Sequence, residues 1–170
     1  MRLNLGCGPR PLEGFVNIDA DPNYGDCVAD ITHLPYEDGS IEEIFASHIL
    51  EHFDWTEVDA VLDEWIRVLK PEGCITIVVP DCVQSAHMVA EGRMTPLEYG
   101  GLTHGHGNGT RERLSAYWKG EDTNGSHLSC WSARLLLKYL LAHGLTVERI
   151  HISPHREYVE SDAMVKGWKC

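Results

Sequence analysis

The chain is 170 residues long, 43% hydrophobic and 24% charged, which fits one ordinary globular domain with a real core. Its formal charge is −12, from 26 acidic residues against 14 lysines and arginines with no basic cluster, so no nucleic-acid partner is expected. No run approaches the roughly 18 apolar residues of a membrane span, and residues 1–15 lack a basic stretch followed by an apolar one; no membrane partner or secretory signal is expected, and the cytoplasm is the default location.

In chain order, Leu3–Leu5 reads as a short buried strand ending at Gly6-Cys7-Gly8. Phe15–Ile18 is the second strand and Asp26–Ala29 the third, with Asp19 and Asp30 just beyond them. The connections, Cys7 to Phe15 and Ala20 to Gly25, are too short for an ordinary crossover helix, which needs a dozen or more residues. "LPYEDGS" is a turn-rich loop, and "IEEIFAS" (41–47) leads into a fourth strand followed by His48. Residues 56–70 repeat apolar side chains at helical spacing (Val58, Val61, Leu62, Trp65, Val68, Leu69), with Thr56 as N-cap and "KPEG" as stop.

"CITIVV" (74–79) is a fully buried strand ending at Pro80-Asp81. The pattern weakens over 82–130, which reads as a variable loop or lid rich in glycine and histidine. It returns in a helix at 131–143 closed by Gly144, then strands at 146–152 and 162–169. Strands alternating with helices predict an α/β fold with a mostly parallel sheet and an antiparallel last strand at its edge. A single domain over 1–170 is expected. With helices reduced between strands one and two and between two and three, one sheet face should be thinly covered there. The lid segment, the C-terminal residues or a second subunit would cover it, so a homodimer is expected.

The chemistry-bearing residues fall at the carboxyl ends of the strands, where open α/β sheets bind ligands. Gly6 and Gly8 would let a ligand approach the backbone, Asp19 could accept ribose hydroxyl protons, and Asp30 with the Ile31 backbone could read an adenine edge. Each also has a plainer reading, as turn glycine, strand-capping aspartate or surface histidine. The six cysteines (Cys7, Cys27, Cys74, Cys82, Cys130, Cys170) form no C-x-x-C pair and read as reduced thiols. His104 and His106, with His127 or Asp122, could share a metal, but the surrounding glycines favour a substrate lid, and no metal is expected.

"LNLGCG", "NIDAD", "VADITHLPYEDGSIEEIFASHILEHF" and "RVLKPEGCITIVVPD" resemble the successive motifs of class I S-adenosylmethionine-dependent methyltransferases, nearest to small members related to the ubiquinone-type, or type 11, enzymes. The resemblance covers residues 3–81 well and implies a Rossmann-like sheet of order 3-2-1-4-5-7-6. It implies S-adenosylmethionine as cofactor, with Gly6 and Gly8 at its methionine part, Asp19 at the ribose, and Asp30 with Ile31 at the adenine. Cys7 and Ala20 belong to the same cofactor-binding set. Ser47 and His48 would pass near the sulfonium and the incoming substrate. The family's third glycine is replaced by Pro9-Arg10-Pro11.

A nicotinamide oxidoreductase would prefer the full G-x-G-x-x-G before a helix, which is absent. The implied activity is methyl transfer to a small-molecule or glycan-like acceptor; the alternative is a cofactor-binding regulatory or assembly protein without turnover. Methyl transfer needs positioning and, for some acceptors, a base. His48 is the first candidate and Asp81 the second; His104, His106 and His127 lie in or near the lid, and Glu51 and His52 read as capping and packing residues. Tyr99, Tyr117, Trp118 and Trp131 could line a stacking pocket, though core packing explains Trp131 as well.

Overall fold

A computed structural model describes residues 1–104, 127–150 and 160–170. Seven strands, β1 (Arg2–Leu5), β2 (Val16–Asp19), β3 (Cys27–Val28), β4 (Ile41–Ser47), β5 (Leu69–Pro80), β6 (Leu145–Arg149) and β7 (Asp162–Lys169), form one sheet in the order β3-β2-β1-β4-β5-β7-β6. The first five are parallel, and β7 runs antiparallel to both β5 and β6. The class I order is therefore present. β7 lies inside the sheet and β6 at its edge, because the β6–β7 antiparallel return brings the last strand back against β5.

One face carries the main core. Strand side chains alternate between faces, so Leu3, Leu5, Ile18, Ile44, Ala46, Ile75, Ile77, Val79 and Val165 line up beneath two helices. α1 (Val58–Val68) buries Val58, Val61, Leu62, Trp65 and Val68 there, as its spacing predicts, and the later helix α4 (Ala133–Ala142) buries Ala133, Leu136 and Leu140. The N-terminal turn of α1 is organised by Asp54 rather than Thr56: its Oδ1 accepts from the Thr56 N–H and hydroxyl, and Glu57 returns a carboxylate to the Asp54 N–H. The far end is capped from outside. The Lys169 ammonium on β7 donates to the carbonyls of Ile66 and Leu69 at 2.8 Å and of Arg67 at 3.4 Å, where a cation meets both orphan acceptors and the helix dipole.

The stretch following β5 is helical at its start, with α2 (Cys82–Ala90) and α3 (Pro96–His104). Its apolar periodicity is weak, which is why the sequence alone reads it as loop. Trp131 is core, 1% exposed, with its indole N–H on the Ser129 hydroxyl and its ring edge-on to Tyr139. All six cysteines are free thiols. No described helix is long and apolar enough to cross a membrane.

The opposite face near β1 and β2 has no crossover helix, as the short connections predict. Among the described residues its cover comes from the first connection itself: Phe15 and, partly buried, Leu12 pack on Phe45, Val78 and Met164. The rest is a polar row across the sheet, in which Asn4 pairs with Asn17 on one side and Phe45 on the other, and Phe45 with Thr76. Asn17 is the organiser, because its side chain replaces the missing backbone hydrogen bonds of both crossovers. Its Oδ1 accepts from Asn4 Nδ2 at 2.9 Å and from the Leu12 N–H at 2.7 Å. Its Nδ2 donates to the Leu12 and Phe15 carbonyls and to Asp26 Oδ2. Asp26 returns its own N–H to the Asn17 carbonyl at 2.7 Å, a close approach that needs Gly25: a Cβ there would stand 2.6 Å from that oxygen.

Replacing Asn17 with Leu leaves the Leu12 N–H and the buried Asn4 amide without this partner, each costing about 1–3 kcal/mol when unpaired. We expect Asn17→Leu to lower unfolding stability by about 2 kcal/mol or more, read from the urea midpoint at unchanged slope.

Candidate active site

A cleft of about 790 Å³ opens at the carboxyl ends of β1 to β3, lined by Gly6, Asp19, Ala20, Val28 through Thr32, Ile49, His52 and Phe53. That volume lies within the range of small-molecule sites. A smaller cavity of about 210 Å³ lies on the other side of the glycine turn, lined by Asn4, Gly6, Cys7, Arg10, Pro11, Leu12, Phe45 and Ser47. Gly6 is common to both. It sits at φ +60, and a Cβ would be 2.7 Å from Ile49 Cγ1. The glycine is thus required by the turn and by the packing of Ile49, as well as by any ligand.

The two strand-end aspartates are fixed by local backbone. Asp19 Oδ2 accepts from the Gly8 N–H at 2.8 Å and Oδ1 from the Asp21 N–H at 2.9 Å, so the carboxylate that faces the cleft also holds the glycine turn. Asp30 closes on Thr32, accepting from its N–H and hydroxyl, and these bonds hold its carboxyl below the usual range. The loop around Asp30 is stapled to α1. Trp65 Nε1 donates to the Ile31 carbonyl at 2.9 Å, Glu64 accepts from the Leu34 N–H, and the Arg67 guanidinium reaches the Leu34 and Tyr36 carbonyls. The cleft lining therefore carries Asp19 and Asp30 on rigid supports and, among the described residues, contains no Lys or Arg.

Of the expected cofactor residues, Gly6, Asp19, Ala20, Asp30 and Ile31 meet in the main cleft, while Cys7 and Ser47 line the smaller cavity. Gly8 and His48 line neither, although Gly8 holds Asp19. His48 follows β4 in the left-handed region, at φ +56, with its N–H on the Val78 carbonyl. Its ring is held between two buried carboxylates: Nδ1 is 3.3 Å from Glu51 Oε1, and Nε2 donates to Asp162 Oδ2 at 3.2 Å. Burial opposes its charge, but the hydrogen bonds and charges of Asp162 and Glu51 prevail and push the imidazole up to about 10. Both ring nitrogens face acceptors, which is the geometry of an ion pair and not of a free base.

Asp81 is likewise consumed by structure. Its Oδ1 accepts from the Val83 and Gln84 N–H groups at the start of α2, and Oδ2 from the Ala133 N–H at the start of α4. One buried carboxylate thus caps two helices, and no oxygen is left directed at a substrate. The signal was readable in part, since aspartate before an apolar helix start is an N-cap; the second helix, 52 residues on, was not.

His127 lies beside Leu102 and Thr103 near the end of α3. It packs edge-on to His52 with ring centres 4.9 Å apart, and its Nε2 lies 3.9 Å from Glu51 Oε1. Burial pushes its imidazole down. His106, Tyr117, Trp118, Asp122 and the side chain of His104 lie outside the described residues, and Tyr99 sits on α3.

The family described as "Methyltransferase domain" matches residues 16–77. An S-adenosylmethionine-dependent methyltransferase of Thermotoga maritima is 14% identical with a TM-score of 0.60, the match covering 99% of this chain and 82% of that one. One from Mesorhizobium loti is 15% identical, again with a TM-score of 0.60, covering 99% of this chain and 90% of that one. One from Methanosarcina mazei is 14% identical at 0.60, covering 99% and 91%. No curated protein sequence matches the chain. The fold is that of class I S-adenosylmethionine-dependent methyltransferases, and residues 16–77, from β2 into β5, are similar to a methyltransferase-domain family.

Asp81→Ala should lower stability by about 2 kcal/mol through the loss of two helix caps. Urea unfolding read together with circular dichroism checks this; unchanged stability would leave Asp81 free for chemistry.

Proposed function

We propose that the main cleft binds S-adenosylmethionine and that the chain transfers its methyl group to a small-molecule or glycan-like acceptor. The observation that carries this reading is the charge of the cleft. Among the described residues its lining holds two fixed carboxylates and no Lys or Arg, which suits a cationic sulfonium cofactor and repels the diphosphate of a nicotinamide dinucleotide. Asp19 would take the ribose hydroxyls, with Ala20 beside it. Asp30 and the Ile31 backbone would take the adenine, against the apolar walls of Val28, Ile49 and Phe53. Gly6, Cys7 and Gly8 would face the methionine part, with Ser47 at the end of β4 beside it.

When bound, S-adenosylmethionine supplies a methyl group already activated by its sulfonium. What remains for this chain is to orient cofactor and acceptor in line and to exclude water. His48 contributes by position: with both ring nitrogens engaged, it anchors the segment after β4 to β7 through Asp162 instead of accepting a proton. Asp81 fixes the starts of α2 and α4 in the same way. A cofactor-binding protein without turnover is the second reading, favoured by the structural engagement of these two residues.

Calorimetry with S-adenosylmethionine and S-adenosylhomocysteine tests both readings, because failure to bind either would sink them together. Asp19→Ala should weaken binding by at least about tenfold, the worth of one charged hydrogen bond. Wild-type affinity in that variant would remove the ribose assignment.

A further inference from the structure

The segment after β4 brings together groups that methyl transfer does not use. Glu51 sits in the 3-10 turn Leu50–His52 and is 1% exposed, yet neither of its carboxylate oxygens has a hydrogen-bond partner among the described residues. Its Oε1 has ion-pair contacts to His48 and His127, already described, and the His48 imidazolium compensates part of its charge. Oε2 has no such contact among the described residues, and a buried carboxylate oxygen without a bond costs about 1–3 kcal/mol. One ligand atom each from Glu51, His52 and His127 lies within 4.8 Å of the other two.

We propose that Glu51, His52 and His127 hold a divalent transition metal ion of the zinc class at the margin of the cofactor cleft. Two imidazoles and one carboxylate are a donor set that zinc accepts at bond lengths near 2.0–2.2 Å, with the fourth position left to water or substrate. Tetrahedral ligands at those lengths stand about 3.5 Å apart, so the three groups need to close by only about 1 Å. Their backbones are already fixed to each other. The Glu51 carbonyl accepts from the Leu128 and Ser129 N–H groups, and the Ser129 hydroxyl donates to the Leu50 carbonyl. The turn that carries Glu51 and His52 is thereby tied to the segment that carries His127.

His48 Nδ1, 3.3 Å from Oε1, is placed to orient the carboxylate from outside the metal shell, as outer partners do at such sites. His52 is itself part of the cleft wall. The open position would therefore lie beside the bound cofactor, where a lone-pair atom of the acceptor could take it. The proposal does not depend on methyl transfer, since metal binding is read without S-adenosylmethionine.

The test is titration of the metal-depleted full chain with Co(II), followed by visible absorption, and with Zn(II), followed by calorimetry. One equivalent should bind, with the intense visible bands of four- or five-coordinate Co(II). Losing an outer-shell partner typically costs about 10–100-fold in affinity, so His52→Ala, His127→Ala and the isosteric Glu51→Gln should each weaken binding by about a hundredfold or more. Thermal melts of the metal-free variants report that they fold. The double variant His104→Ala/His106→Ala should bind like wild type. Absence of stoichiometric binding in the wild-type chain overturns the proposal. So does wild-type affinity in the three ligand variants, or loss of binding confined to the His104/His106 variant.

Discussion

The Asn17 carboxamide is the contact on which the rest of this sheet edge depends. An ordinary doubly wound fold satisfies the ends of its first strands with helices, whose own ladders close the backbone. Here the two connections have no helices, and a single buried side chain, with Asp26 and Asn4 around it, takes over that duty. A hydrogen-bonded amide in a closed site is worth far more as a constraint than as net energy, because leaving its partners unpaired is costly. With the connections closed this way, and Gly8 held on Asp19, the shortened scaffold still presents an open cleft at the strand ends.

The other side of that cleft is held by α1. Trp65, Glu64 and Arg67 spend their polar atoms on the backbone of the 30–36 loop, while the apolar face of the same helix builds the core. Lys169 from the last strand then caps the helix that supports the loop. Stability and ligand positioning are therefore one network. The helix cannot shift without moving Ile31, and β7 cannot leave without freeing the end of the helix.

Beyond β4 the same economy applies to charge. His48 and Asp81, the residues that look most like acid–base groups, are used to join segments: His48 ties the turn after β4 to β7, and Asp81 joins the starts of two helices. Glu51 is the exception, a buried carboxylate whose only contacts are to imidazoles and whose Oε2 has no bond among the described residues. That contrast singles out the Glu51, His52 and His127 cluster as chemistry and not scaffold.

Local pattern was enough for much of this. Alternating apolar runs placed the strands, three- and four-residue spacing placed α1 and α4, and the lengths of the first two connections excluded crossover helices. The resemblance of the motifs to a methyltransferase class supplied the strand order, and that Gly6, Asp19, Asp30 and Ile31 share one cleft was legible because each lies at or just beyond a strand end. Asn17 left one local trace, a residue poorly suited to strands inside an apolar run. What tertiary structure alone decided are the pairings across the chain: Lys169 with the end of a helix 103 residues earlier, Asp162 with His48, and His127 with Glu51. Such partners are chosen by where the sheet and helices bring distant segments together, and periodicity encodes which side of an element a residue faces but not what meets it there.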